Sequence, residues 1–99
     1  MKHFLIFYET APDYIARRPE FRTAHLAYAT EAVARGELVL GGVLADPADR
    51  AILLFKAETQ DVAERFAQND PYVANMLVQS WTVREWSTVI GPEATLKVT

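Results

Sequence analysis

Two short runs constrain this chain more than any other part of it. Residues 3–8 (HFLIFY) and residues 51–56 (AILLFK) are apolar at nearly every position. A strand with one wet face alternates apolar and polar side chains; a strand covered on both faces does not. Both runs therefore read as interior strands of a sheet. Residues 37–45 (ELVLGGVLA) read as another strand, with Gly41 and Gly42 marking a bulge or a close approach to the backbone. Asp46, Pro47, Ala48 and Asp49 form a turn before the next strand. Residues 78–89 (VQSWTVREWSTV) alternate well enough for a fourth strand.

Helices fall between these strands. Residues 19–36 (PEFRTAHLAYATEAVARG) carry Pro19 at a first helical position, Gly36 just past the end, and many alanines between. At about 100° per residue, Phe21, Leu26, Tyr28, Ala29, Ala32 and Val33 share one apolar arc. His25 falls near the middle of that arc, with Arg22 one turn earlier on the same side. Residues 9–18 read as the loop leading in. A second helix spans 59–69, with Thr59 as its cap and Val62, Ala63, Phe66 and Ala67 as its buried side. Asp70 and Pro71 then look like a cap and a first residue, opening a short helix over 72–77. The tail, 92–99, has the composition to add a short strand to an edge, a partner's edge included.

The order strand, helix, strand, strand, helix, strand predicts an α+β, ferredoxin-like βαββαβ fold with a four-stranded antiparallel sheet. That fold puts its first and third strands in the middle, where the two continuously apolar runs lie. Helices cover one face only. The other face is still apolar, so two sheets packed face to face in a homodimer, as a dimeric α/β barrel, are expected.

Composition narrows the function. Ninety-nine residues, 51% of them apolar, suit one domain over 1–99 with a core of modest size. The net charge of −3 and the lack of a Lys/Arg block argue against nucleic acid or an anionic membrane as partner. With no cysteine there is no disulfide framework and no thiolate nucleophile or ligand. The first apolar run is too short for a signal peptide or a membrane span, so a cytoplasmic protein is expected. His3 and His25 stand in no H-x-x-x-H or H-E-x-x-H pattern, so no metal is expected. A phosphate loop and a G-x-S-x-G elbow are also missing from the sequence.

At this point the residues resemble a known family. Arg22-Thr23-Ala24-His25-Leu26 on the first helix, Gly42 after the second strand, and Asp70-Pro71-Tyr72 after the second helix occur together in this order. The combination resembles the YciI-like (YCII-related domain) family over nearly the whole chain. The resemblance implies a dimeric ferredoxin-like barrel and an active site centred on a histidine and an aspartate, here His25 and Asp70. It also implies mostly enzymes without an assigned substrate, with one related class that removes chloride from chlorinated hydroxyquinols. Members often carry Gly-Pro after the second strand; this chain has Gly42-Val43.

Each candidate has a functional and a plain reading. An inward imidazole needs a hydrogen-bond partner. A carboxylate at one nitrogen of His25 would orient the ring and leave the other as base and then acid. Otherwise His25 is a satisfied core or interface histidine. Asp70 before a proline is also a plain helix cap. Arg22 would hold a substrate carboxylate or phenolate, or else a helix-edge salt bridge. Tyr72 and Trp81 would line an aromatic-tolerant pocket, or simply pack. The resulting expectation is a catalytic His25–Asp70 dyad, with Arg22, Tyr72, Trp81 and Gly42 binding a small aromatic or enolic substrate. No cofactor is required for that chemistry. The alternatives are a non-catalytic small-ligand-binding domain, or a cofactor-free oxygenase or isomerase.

Overall fold

A computed structural model describes residues 1–96. The elements are β1 (Lys2–Thr10), α1 (Tyr14–Ala34), β2 (Leu38–Val43), β3 (Arg50–Ala57), α2 (Asp61–Asn69), α3 (Pro71–Ala74) and β4 (Val78–Trp86). The strands form one antiparallel sheet in the order β2-β3-β1-β4. The two continuously apolar runs are the central strands, as their composition requires.

The helices cover one face. Phe4, Ile6 and Tyr8 of β1 and Leu53 and Phe55 of β3 point to it and are buried. They meet Ala63, Phe66 and Ala67 of α2. The Phe66 ring lies 5.0 Å from that of Phe55 and 4.7 Å from that of Tyr28 on α1. Full burial of a side chain such as Ile6 or Phe55 is worth about 1.5–3 kcal/mol, so this layer is the main source of stability.

The sheet is not closed into a barrel. It is an open sheet, with β2 and β4 each paired on one side only. This corrects the barrel expected from the sequence. Four strands are too few to curl around a filled interior, and the far face, with Phe7, Leu40, Ile52 and Trp86, stays exposed.

The first helix also differs from expectation. It starts at Tyr14, so Pro19 sits inside it rather than at its head. A proline there removes one backbone bond and crowds the carbonyl four residues earlier. The extra turn survives because Tyr14 is buried and packs edge-on against Tyr72, ring centres 5.8 Å apart. The predicted apolar arc is split. Ala32 is buried and Phe21, Tyr28 and Ala29 pack at the core's margin, but Leu26 and Val33 are exposed. The end of α1 is as the glycine foretold. Gly36 takes φ +78°, with its N–H donating to the Val33 carbonyl and that of Glu37 to the Ala32 carbonyl.

The bulge in β2 falls at Val39, between Leu38 and Leu40, not at the glycines. A Cβ on Gly41 would meet the Leu53 side chain at 3.4 Å, an ordinary van der Waals contact. Thr59 does not cap α2. Gln60 holds that position, and the Thr59 hydroxyl donates to the Asp61 carboxylate. The short helix ends at Ala74, and β4 ends at Trp86 rather than residue 89. After β4 the chain folds back on itself, the Leu96 N–H donating to the Thr88 carbonyl. No tail strand forms among the described residues; the rest of the expected one, 97–99, lies outside them.

Candidate active site

The site begins with a backbone restriction. Asp70 precedes Pro71, and a residue before proline is driven out of the helical region into an extended conformation. Asp70 accordingly has φ −66° and ψ 128°, ending α2 and opening α3. That geometry turns its carboxylate inward, where it is fully buried. A buried carboxylate is costly unless hydrogen-bonded. Three donors satisfy this one. Oδ1 accepts from the Tyr72 N–H at 2.9 Å and from His25 Nδ1 at 2.8 Å; Oδ2 accepts from the Tyr8 hydroxyl at 2.7 Å. The cap and the imidazole partner are thus one carboxylate, and one oxygen of it does both.

His25 reaches this carboxylate from α1. Its ring stacks on Tyr72, centroids 3.9 Å apart and planes 5° apart. The stack fixes the ring's plane and Asp70 fixes its rotation. An ionised carboxylate only accepts, so in the neutral ring Nδ1 carries the proton and Nε2 keeps its lone pair. Nε2 has no hydrogen-bond partner among the described residues and is not sealed in. The ring borders a cavity of about 430 Å³ between α1 and the β2–β3 end of the sheet, a size within the small-molecule range of roughly 300–1,000 Å³.

The neighbouring phenols stay neutral. Burial pushes the Tyr8 phenol far above its ordinary value, and the Asp70 charge beside it pushes further. Burial also raises Tyr72 and Tyr14 adds to it, while Arg22 and Arg18 pull it back. Tyr28 is raised by burial and then by Asp70, with its hydroxyl donating to the Phe66 carbonyl at 2.9 Å.

Of the residues singled out in the sequence, His25, Asp70 and Tyr72 meet directly, and Arg22 and Gly42 line the cavity with His25. Trp81 does not border it. It packs against the core from β4 and lines a separate depression with Phe7, Glu9 and Arg84. His3, which stands in no metal-ligand pattern in the sequence, is buried with Nδ1 2.8 Å from the Thr88 hydroxyl. Sequence reasoning missed Tyr8, Tyr14 and Arg18. Tyr8 left a signal: a phenol on the helix-facing side of a central strand needs a buried acceptor. Tyr14 and Arg18 left none, because residues 9–18 read as a loop.

The family model for the YCII-related domain matches residues 1–87. The chain belongs to the YCII-related domain family. Among solved structures, this YCII-related protein is similar to 5-chloro-2-hydroxyhydroquinone dehydrochlorinase from Burkholderia phenoliruptrix AC1100, determined in complex with 2,5-dihydroxybenzoquinone. The identity is 26% and the TM-score 0.72, over 87% of this chain and 94% of that one. Two Agrobacterium tumefaciens proteins share the fold alone. One is 11% identical with a TM-score of 0.60, over 97% of this chain and 99% of that one. The other, a NIPSNAP family protein, is 13% identical with a TM-score of 0.56, over 96% and 97%. No curated protein matches the chain. Among the described residues, no three or more His, Cys, Asp or Glu side chains cluster as metal ligands, and no helix is long and apolar enough to cross a membrane.

Proposed function

We propose that this YCII-related protein is a general acid–base enzyme acting on a small aromatic or enolic molecule. The observation that carries the proposal is His25 itself, held by Asp70 at 2.8 Å with Nε2 unbonded beside the cavity. Nε2 takes a proton from a carbon or hydroxyl of the substrate. The electron pair left behind shifts to expel a leaving group or to move a double bond. The imidazolium, still donating to Asp70, then returns the proton to the leaving group, to another carbon or to water. The dehydrochlorinase relative supports elimination as one form of this chemistry. The active unit is read as a homodimer through the exposed sheet face.

The test is a pair of variants, His25→Asn and Asp70→Asn, assayed for proton exchange into small phenols and enol lactones. General acid–base groups are worth roughly 10²–10⁴ in rate. Loss of that order in both variants, with ligand affinity retained, is the expected result. A wild-type protein that binds such ligands and exchanges no proton would be a binding domain instead.

A further inference from the structure

The cavity is chemically two-ended along α1. Its helix wall runs from Arg18 and Arg22, through His25, to Leu26, Ala29 and Val33. Apolar side chains of the sheet, Leu38, Val43 and Leu53 among them, line the wall opposite the helix. No aspartate or glutamate lines the cavity among the described residues, since Asp70 is fully buried behind His25. The two arginines are also unusual for this helix. Arg17, next to them, pairs with Asp13 at 3.8 Å. Arg18 and Arg22 have no carboxylate partner and no hydrogen bond among the described residues; Arg18 only lays its guanidinium over the Tyr14 ring at 5.6 Å. Together they place two uncompensated positive charges at one end of an otherwise apolar cavity. Both also pull the burial-raised Tyr72 phenol back toward its ordinary value.

We infer that the cavity selects an amphiphilic monoanion, with a carboxylate held by Arg18 and Arg22 and an apolar body lying past His25 toward Leu26 and Val33. Guanidinium forks bind carboxylates in paired hydrogen bonds. At about 1.5 Å per residue and about 3.6 residues per turn, Arg22 stands about one helical turn before His25 and Arg18 about two. The bond presented to Nε2 therefore lies close to the carboxylate, and the bulk of the substrate lies beyond it. This rests on the acid–base reading only for what happens at that bond; the binding preference stands without it.

Calorimetric titration of 4-isopropylbenzoate and of its uncharged twin, 4-isopropylbenzamide, tests the inference at low ionic strength. The wild-type protein should prefer the carboxylate by about tenfold or more, the usual worth of charge-assisted hydrogen bonds. The doubly substituted Arg18→Gln/Arg22→Gln protein should lose that preference and still bind the amide. Arg22→Gln alone should lose part of it, which keeps the test alive should the double variant fold poorly. His25→Asn should keep the preference. Equal binding of the two probes, no binding of the carboxylate, or a preference that survives in the folded double variant would overturn the inference. An arginine-dependent preference in a protein without any His25-dependent proton exchange would leave it standing and sink the acid–base reading instead.

Discussion

A single hydrogen bond, from the Tyr8 hydroxyl to Asp70 Oδ2, holds the half of the carboxylate that the imidazole does not use. Without it a buried oxygen would be left without a donor, at about 1–3 kcal/mol. Tyr8→Phe is therefore expected to destabilise the protein by about that amount at neutral pH. The same residue governs the alkaline limit. Its folded pKa is raised, so the folded protein keeps the phenol proton while the unfolded chain releases it above pH 10. Stability is then full below that pH and falls as pH rises, by up to about 1.4 kcal/mol per pH unit for each such phenol. Tyr28 and Tyr72 shift the same way. Urea unfolding of wild type and Tyr8→Phe between pH 8 and 11 measures this. The variant should show the shallower alkaline decline, and equal slopes would show that Tyr8 contributes nothing to it. At this scale the sequence could mark His25 and Asp70, because an imidazole on an apolar arc and an aspartate before proline each announce a local need. It could not mark how Asp70 divides its oxygens, since that depends on three elements converging.

Two helix ends differ in the residue that closes them. After α1 and after α3 the chain makes the same turn, with a residue at positive φ followed by paired bonds back into the last turn. After α3 these run from Met76 to the Val73 carbonyl and from Leu77 to the Tyr72 carbonyl. Gly36 fills the first turn at φ +78° and Met76 the second at φ +62°. The left-handed conformation costs an L-residue about 1–2 kcal/mol and glycine nothing comparable. Gly36→Ala should therefore destabilise by about 1 kcal/mol although open space surrounds it. Met76→Gly should stabilise by about 0.5–1 kcal/mol, part of the relief being offset by the freer unfolded chain. Melting temperatures moving in opposite directions would bear this out; a loss in Met76→Gly would show that the exposed methionine makes contacts worth more than its strain. Glycine made the first turn legible in the sequence. Met76 gave no such sign, and 72–77 read as continuous helix because only the backbone angle ends it. Pro19 misled in the other direction. It is a strong local stop, yet Tyr14 five residues earlier is buried against Tyr72 and carries the helix past it.

The whole molecule leaves one face of its sheet bare. Register places Leu40 beside Leu54, Leu54 beside Leu5, and Ile52 beside Phe7, so these side chains form one continuous apolar band across β2, β3 and β1. Phe7 and Ile52 are a little over a third exposed, Leu40 more than two thirds. Soluble monomers rarely expose a contiguous apolar band of this kind. The two runs that made the fold legible carry the information for both faces at once. They specified central strands correctly, and the apolar side chains on their far face stay exposed in the single chain. A second copy is the occupant that needs no other gene product, because a two-fold contact sets the same band against itself. A charge in such a contact would face its own symmetry mate across a desolvated gap. Phe7→Lys and Ile52→Lys point away from the helices and the candidate site, so the fold should survive both. Light scattering is expected to give twice the 11.1 kDa chain mass for the wild type and the chain mass itself for the double variant. The wild-type melting temperature should also rise with protein concentration while the variant's stays constant. A wild-type protein that scatters as one chain at every concentration would mean that the band serves some other partner or none.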